Sequence, residues 1–408
     1  MTTAPAPRPT RIFVSAGEVS GDLILGEVLP RLRAGLGALE LRGLGGPAAQ
    51  ACGLDPLFPI ARTGFSGAWD VLANGLFAVR MYFAAARALR EFRPDLVILV
   101  DYPGLNLRLA REARRLGFPV HFIAPPQVWV YREAAGLTPE GAPPAAAARA
   151  GRKLRRARAA LQGCSLQPMF PFEAPYWEGC AAAIHPGHFQ DTVFRRLPSR
   201  EAGAALLCLC PGSRLPVLRR NLPAWLALLA AAGVPSGEPI AILAPEQLAE
   251  AARGLVRRHA PERGAACAVR TDKAAVLAAA DRAIAFPGTV TLELALHRIP
   301  TLTLALIDPL TYAIGKRILT GRRLSLPNLL LGEDLFPEWA GTLPGPGPEA
   351  FRAGLAGLGA PSDGTGESGN YRDWDHKLEK LARRIGPGNG AGIAAQACLA
   401  LLPGAPVS

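Results

Sequence analysis

The sequence predicts an α/β protein built from two Rossmann-like domains that face each other across a cleft. Short apolar segments recur along the chain, and each runs into a turn of small residues and then into a helical pattern. This alternation is typical of parallel sheets covered by helices. It starts near residue 11 and restarts near residue 199, which indicates one domain in each half of the 408 residues.

We therefore assign residues 11–198 to the first domain and residues 199–345 to the second. Residues 346–370 are rich in Gly, Pro and Ser, and we predict a flexible linker there. Residues 371–403 are predicted to form closing helices.

The composition limits the class of protein. Half of the residues are hydrophobic, yet no apolar run reaches the roughly 18 residues of a membrane-spanning helix. The first ten residues lack the apolar segment of a signal peptide, so we expect a cytoplasmic location. The formal charge of +12 favours anionic partners. The basic residues lack interleaved aromatic side chains, and we expect no nucleic acid among those partners.

The first strand, Arg11–Val14, runs into the glycine-bearing turn Ser15–Asp22, and a helix is predicted from there to about Arg33. Backbone amides and small side chains at the start of a helix favour binding of an anion or a sugar. The turn does not match the GxGxxG fingerprint, so we predict no nicotinamide cofactor.

The central strand, Leu96–Val100, is apolar throughout and ends at Asp101. Such a run is typical of a strand buried on both faces. Ligands of open α/β sheets bind beyond the carboxyl ends of the strands, which makes Asp101 a candidate for chemistry. The alternative is that Asp101 caps a helix that starts near Asn106.

Further strands are predicted in both halves. Two of those in the second half run into turns of small residues, Pro211–Arg214 and Pro287–Thr289. Cys208 and Cys210 are expected on opposite faces of one strand, and all seven cysteines are expected to be free thiols. The strands are Val120–Ala124, Ala204–Cys210, Ile240–Leu243, Cys267–Val269, Ala283–Phe286 and Thr301–Leu306.

Two segments suggest contact with a membrane surface. The stretch from Trp69 to Phe83 is very apolar for one helix, and three arginines interleave with it or follow it. Plain core packing is the alternative for most of its residues. The basic segment from Arg149 to Arg158 is either a solvated helix face or a docking patch for acidic lipid.

Eight collinear segments together resemble the lipid-A-disaccharide synthase family of inverting glycosyltransferases, which has the two-Rossmann-domain (GT-B) fold. They span nearly the whole chain from Arg11 to about Trp339. The segments are Ser15–Asp22, Asp101–Asn106, Gln127–Trp129, Phe170–Glu173, Gly187–His188, Pro211–Arg214, Gly288–Glu293 and Ser325–Leu330.

The resemblance implies transfer of 2,3-diacylglucosamine from its UDP conjugate to the 6-hydroxyl of 2,3-diacylglucosamine 1-phosphate, with a β-1,6 linkage and release of UDP. It also implies peripheral contact with the inner face of the cytoplasmic membrane; homo-oligomerisation stays open. Neither a cofactor nor a metal is implied. Asp373-Trp374-Asp375 looks like the metal-binding DxD of some glycosyltransferases, but it lies outside the predicted strand ends, and we predict no metal there.

The same resemblance assigns roles to individual residues. Asp101 matches the base that activates the acceptor hydroxyl. Asn328 is assigned to the donor or to organisation of the cleft. The donor-binding residues are Arg214, Gly288, Thr289, Glu293 and Asn328. The acceptor or cleft residues are Ser15, Gly17, Glu18, Ser20, Asn106, Gln127, Trp129 and His188.

The chain departs from the family pattern on the donor side. Val217 stands where the family has Glu, Pro287 replaces Ser, and Ala305-Leu306 replaces a Tyr followed by a cation. These differences leave two alternatives: a paralogous transferase that uses another UDP-sugar or lipid acceptor, and a non-catalytic protein that binds a UDP-sugar or an anionic lipid.

Overall fold

The computed structural model describes residues 8–59, 75–127, 152–189, 206–318, 323–358, 369–386 and 388–403. The described residues from 8 to 189 and from 385 to 403 form one compact unit, and those from 206 to 384 form a second. The predicted boundary at residue 198 lies outside the described residues.

The first unit is a seven-stranded parallel sheet in the order β3-β2-β1-β4-β5-β6-β7. The prediction that Leu96–Val100 is a central strand is confirmed, since all five residues of β4 are buried. The strands are β1 (Thr10–Ala16), β2 (Leu39–Gly45), β3 (Leu54–Pro59), β4 (Leu96–Val100), β5 (Val120–Ile123), β6 (Ser165–Gln167) and β7 (Ala183–Ile184).

Helices connect these strands, and the last helix of the chain returns to pack on the first. Buried residues of that last helix, Ala391 to Cys398, join the apolar residues of β1 and β4 in one core. The helices are α1 (Val19–Leu36), α2 (Pro47–Ala51), α3 (Gly75–Phe92), α4 (Pro103–Arg115) and α5 (Arg152–Leu161), with α14 (Gly390–Ala400) from the end of the chain.

The second unit is a six-stranded parallel sheet in the order β10-β9-β8-β11-β12-β13. This order repeats that of the first six strands of the chain, so the prediction of two parallel α/β domains is confirmed. The strands are β8 (Leu207–Cys210), β9 (Ile240–Leu243), β10 (Cys267–Arg270), β11 (Arg282–Ala285), β12 (Thr301–Leu306) and β13 (Glu338–Gly341).

The helices of the second unit cover this sheet, and a core around the buried Trp225 joins α6 to the strands. They are α6 (Leu215–Ala231), α7 (Glu246–His259), α8 (Lys273–Ala279), α9 (Thr289–Leu296), α10 (Pro309–Ile318), α11 (Leu326–Leu331), α12 (Pro348–Ala356) and α13 (Gly369–Ile385). Within the described ranges, no helix combines the length and the apolar character that a membrane crossing requires.

Two expectations about these elements need correction. Residues 346–370 are not a linker throughout, because α12 lies among them and buries Phe351 and Leu355 in the core of the second unit. Of the two closing helices, α13 belongs to the second unit and α14 to the first. Cys208 and Cys210 lie on the same face of β8, with their sulfur atoms 3.6 Å apart, because side chains two residues apart in a strand point the same way.

Candidate active site

Several of the predicted site residues lie at equivalent places in the two sheets. In each sheet the strand order reverses between two central strands, β1 and β4 in the first and β8 and β11 in the second. The carboxyl ends of such strands form the binding crevice of open α/β sheets. Ala16 pairs with Val100 in register, so Gly17 and Asp101 leave the first sheet at the same level. We call these places the first and the second half-site and describe each by itself.

Asp101 begins a strained turn at the end of β4. Its φ is 47° and that of Tyr102 is 51°, a conformation that non-glycine residues rarely adopt. Two such residues in succession are costly, and strain of this kind concentrates at functional sites. The helix α4 starts at Pro103 with Tyr102 as its N-cap residue, so the expected helix start near Asn106 is wrong.

A buried hydrogen-bond network holds this turn. The Ser15 hydroxyl donates to Asn106 Oδ1 at 2.7 Å, and both side chains are fully buried. Asn106 Nδ2 lies 3.2 Å from the Ser15 carbonyl, 3.0 Å from that of Val100 and 2.7 Å from that of Asp101. Ser15 and Asn106 therefore position the ends of β1 and β4 from the interior, and the expectation that they contact the acceptor is not supported by their burial.

The turn after β1 packs closely on the turn after β4. Gly17 is buried, and a Cβ atom there would lie 2.3 Å from Cγ of Tyr102. Glu18 is half-buried as the N-cap residue of α1, and Ser20 is exposed in its first turn. Asp22, at the end of the same motif, accepts from the amides of Gly46, Ala48 and Ala49 at 2.7 to 3.0 Å, which fixes the start of α2.

The remaining acceptor candidates are more dispersed. Gln127 is half-buried beyond the end of β5, and Trp129 lies outside the described residues. His188 is buried, and its ring stacks on Phe170 with ring centroids 5.3 Å apart. Its carbonyl accepts from the Gly390 amide at 2.9 Å, so His188 helps to anchor the start of α14.

A second buried network near His188 was not predicted. His121 on β5 lies 3.0 Å from the Ser165 hydroxyl and 3.3 Å from Gln167 Oε1. The Gln167 amide nitrogen donates to the carbonyls of Gly187 and Gly390, which identifies its oxygen as the group facing His121. Burial lowers the pKa of His121 to about 4, so the imidazole is neutral at physiological pH.

In the second half-site, the turn Pro211–Arg214 connects β8 to α6. Gly212 has a φ of 115°, and a Cβ atom there would meet Cγ1 of Val217 at 2.6 Å. Arg214 is half-buried as the N-cap residue of α6. Val217 stands at the position where the resemblance leads us to expect Glu, and its apolar side chain packs against Gly212 of this turn.

The second turn of this half-site starts the eight-residue helix α9. Gly288 and Thr289 are exposed at its N-terminus, where backbone amides favour an anion. Glu293 follows one turn later with 16% of its side chain exposed, and Lys273 Nζ lies 2.8 Å from its Oε2. Lys273, the first residue of α8, was not predicted, because no motif connects it to Glu293.

Asn328 is an interior residue of the second unit. Its oxygen accepts from the Leu335 and Phe336 amides at 2.8 and 2.9 Å, and its nitrogen donates to the Phe336 carbonyl at 2.8 Å. The side chain is fully buried and organises the interior of the second unit through these hydrogen bonds, and its assignment to the donor or to the cleft stays a prediction. The Asn328 helix, α11, packs on α9, which carries Glu293.

The other departures from the family pattern remove polar groups at the end of β12. Ala305 and Leu306 are fully buried, and Leu306 belongs to the core of the second unit. Asn221 holds the backbone of Leu306, since its Oδ1 accepts from the Leu306 amide at 3.0 Å. Neither side chain supplies a polar group to a ligand.

The DxD-like segment is part of an ion-pair network. Asp373 pairs with Lys377 at 2.7 Å, and Asp375 pairs with Arg298. Among the residues that the structure describes, no group of three or more His, Cys, Asp or Glu side chains is arranged to hold a metal ion.

Solved structures share the overall fold. The calicheamicin glycosyltransferase CalG4 aligns over 97% of this chain and 98% of its own, with a TM-score of 0.56 and 16% identity. MurG of Acinetobacter baumannii aligns over 96% and 99%, with a TM-score of 0.50 and 15% identity. UDP-GlcNAc 2-epimerase of Neisseria meningitidis, solved with bound UDP-GlcNAc, aligns over 96% and 99% with a TM-score of 0.53 and 9% identity.

Two parallel sheets of the same strand order, together with these structural neighbours, define the GT-B class of glycosyltransferase folds. Residues 12–136 and 152–352 match the family model described as Lipid-A-disaccharide synthetase. The lipid-A-disaccharide synthases of Geobacter metallireducens and Nitrosococcus oceani are both 30% identical to the chain. The alignments cover 83% of this chain and 84% of the first relative, and 80% of this chain and 82% of the second. The chain belongs to the lipid-A-disaccharide synthetase family.

Proposed function

We propose that the protein transfers 2,3-diacylglucosamine from its UDP conjugate to the 6-hydroxyl of 2,3-diacylglucosamine 1-phosphate, which forms the β-1,6-linked lipid A disaccharide and releases UDP. Family membership supports the reaction. The observation that carries the mechanism is the strained turn at Asp101, held from the interior by Ser15 and Asn106.

Asp101 is the general base in this proposal. A sugar hydroxyl is a weak nucleophile at neutral pH, and a carboxylate that takes its proton raises its reactivity. The acceptor O6 then bonds to the anomeric carbon of the donor while the bond from that carbon to the UDP oxygen breaks. The proton goes to Asp101, the electron pair leaves with UDP, and the anomeric configuration is inverted.

The second half-site binds UDP in this proposal. The guanidinium of Arg214 and the amides of Gly288 and Thr289 face the diphosphate, whose negative charge grows as the sugar leaves. Glu293 accepts hydrogen bonds from the ribose hydroxyls. No metal ion takes part, since these donors supply the positive potential.

The helix α3 supplies contact with the inner face of the cytoplasmic membrane. One face of α3 buries Met81, Ala85 and Leu89 in the core. The opposite face exposes Val79 and Phe83, at 45% and 64%, next to the exposed Arg80. Apolar side chains flanked by arginine are typical of helices that lie on anionic lipid, and such contact brings the protein to acylated substrates.

The test is an assay of the purified full chain with UDP-2,3-diacylglucosamine and 2,3-diacylglucosamine 1-phosphate. We expect release of UDP and formation of the disaccharide. The Asp101→Ala variant is expected to lose at least about a hundredfold in turnover, the usual contribution of a general base, while its affinity for UDP stays unchanged. No turnover of the wild type with both authentic substrates would contradict the proposal.

The buried Ala305 and Leu306 favour a second candidate, a paralogous transferase with a different donor, because the polar groups that the family carries there are absent. A panel of UDP-sugars separates the two. Turnover of another UDP-sugar above that of UDP-2,3-diacylglucosamine would favour the paralogue.

A further inference from the structure

We propose that Lys273 is a positioning residue of the second half-site, which orients the Glu293 carboxylate toward the ribose of a bound uridine nucleotide. The inference rests on the proposed function, because it takes Glu293 as the ribose ligand. It assigns a task to a residue that no segment of the family pattern includes.

The contact joins two separate elements. Lys273 is the first residue of α8, and Glu293 lies in α9, with 2.8 Å between Nζ and Oε2. The Glu293 Oε2 atom is shielded from solvent, so the exposed 16% of the side chain lies on its other atoms. Asp272, which precedes Lys273, accepts from the Ala275 amide at 3.1 Å and thereby fixes the backbone from which Lys273 extends.

This ion pair is compatible with a bound ribose. A carboxylate has about four lone-pair sites, so Glu293 can accept from one ammonium and from two sugar hydroxyls at once. The ion pair attracts Oε2 of the carboxylate toward Lys273 before the nucleotide arrives and so favours one orientation of Glu293. Since this orientation of the Glu293 carboxylate is established in the free protein, binding of the ribose costs less conformational entropy.

The first measurement titrates UDP into four forms of the full chain: wild type, Lys273→Met, Lys273→Arg and Lys380→Met. Lys380 is the matched control, because its ammonium lies 2.7 Å from a carboxylate, that of Glu333, with an exposure similar to that of Lys273. We expect Lys273→Met to weaken UDP binding roughly fivefold, as for a half-exposed ion pair. The UDP affinity of Lys273→Arg is expected to stay within about twofold of the wild-type value. Lys380→Met is expected to bind UDP like wild type.

The second measurement repeats the titrations with 2′,3′-dideoxy-UDP, which lacks the hydroxyls assigned to Glu293. Wild type and Lys273→Met are expected to bind this analogue equally. In steady-state assays Lys273→Met should raise the KM for the donor and leave kcat unchanged, which general loss of structure would not do.

Three results would overturn the inference. Equal binding of UDP by wild type and Lys273→Met would remove its basis. If Lys273→Met lost as much affinity for the dideoxy analogue as for UDP, Lys273 would not act through Glu293. A wild-type protein that does not bind UDP at all would overturn the donor assignment in the proposed function, and this inference with it.

Discussion

At position 17 the first half-site has no room for a side chain. In Gly17→Ala the new Cβ would lie 2.3 Å from the Tyr102 ring, so the ring would have to move, and Asp101 precedes it directly in the chain. We expect steady-state turnover to fall at least about tenfold, which corresponds to ~1.4 kcal/mol. UDP affinity, measured by titration, should stay at the wild-type value.

The double variant Gly17→Ala/Tyr102→Gly is the control for this prediction. It removes the ring that collides with the new methyl group, and glycine adopts the positive φ at position 102 without strain. Part of the lost turnover should return. A single Gly17→Ala variant with wild-type turnover would show that the close packing of the two turns does not affect the reaction.

The residues of the first half-site differ in how far the sequence predicts them. Asp101 follows an unbroken apolar strand, and this local pattern predicts its position at the end of β4, whereas its role as a base comes from the resemblance to the family and stays a prediction. The hydrogen bond between Ser15 and Asn106 joins residues 91 positions apart, and no local pattern predicts such a contact. The ion pair between Lys273 and Glu293 could not be predicted from a local pattern either, because it depends on how two helices lie on the sheet.

Among the elements, β5 and β6 are joined by the buried imidazole of His121, whose titration affects stability, and Gln167 extends this network to α14. The pKa of His121 is about 4 in the folded protein and near 6.5 in the unfolded chain. Between these values the unfolded chain binds more protons, so the free energy of unfolding falls as the pH drops from 6.5 toward 4. The difference between the two pKa values corresponds to a decrease of roughly 3 kcal/mol in the free energy of unfolding.

Urea unfolding of wild type and His121→Gln at pH 7 and pH 4.5 measures this effect. Other groups also titrate in this range, but they are common to both proteins, so the difference between the proteins isolates His121. We expect the variant to be less stable at pH 7 and to lose less stability on acidification. If wild type and His121→Gln lost the same amount of stability between pH 7 and pH 4.5, His121 would not be the source of the pH dependence.

The exposed face of α3 leads to a prediction about membrane binding. Phe83 is 64% exposed, and burial of such a ring in lipid contributes about 2 kcal/mol. Phe83→Ser is therefore expected to weaken binding to vesicles that contain phosphatidylglycerol by at least about tenfold in a sedimentation assay. Leu343→Ser, which changes a 56% exposed residue of the second unit, is the control and should bind like wild type.

Elements were predictable where their pattern is local. Apolar runs predicted the buried strands, and glycine-bearing segments predicted the turns that follow them. The helix α12 was missed because Gly, Pro and Ser dominate residues 346–370, whereas its stability comes from Phe351 and Leu355 in a core formed by distant residues. Tertiary packing there outweighs local composition.

In the whole molecule, one strand order occurs twice, and each occurrence carries its own set of candidate residues. The alternation of strands and helices was sufficient to predict the two sheets. It was not sufficient to predict that α14, which starts about 200 residues after Phe189, joins the core of the first unit, because alternation does not specify which core a helix joins.

The proposed assignment of the base to the first unit and of UDP to the second predicts that turnover and UDP binding respond to different substitutions in the intact chain. Arg214→Met removes a guanidinium assigned to the diphosphate, and we expect UDP affinity to fall about tenfold, as for loss of a charge-assisted hydrogen bond. Asp101→Ala changes only the first unit, so its UDP affinity should equal that of wild type. The double variant should then bind UDP like Arg214→Met alone, because a substitution that leaves UDP affinity unchanged adds nothing to the loss when the two effects are additive. Calorimetric titration of all four proteins with UDP measures these affinities. If Asp101→Ala weakened UDP binding as much as Arg214→Met does, the assignment of the nucleotide to the second unit alone would be wrong.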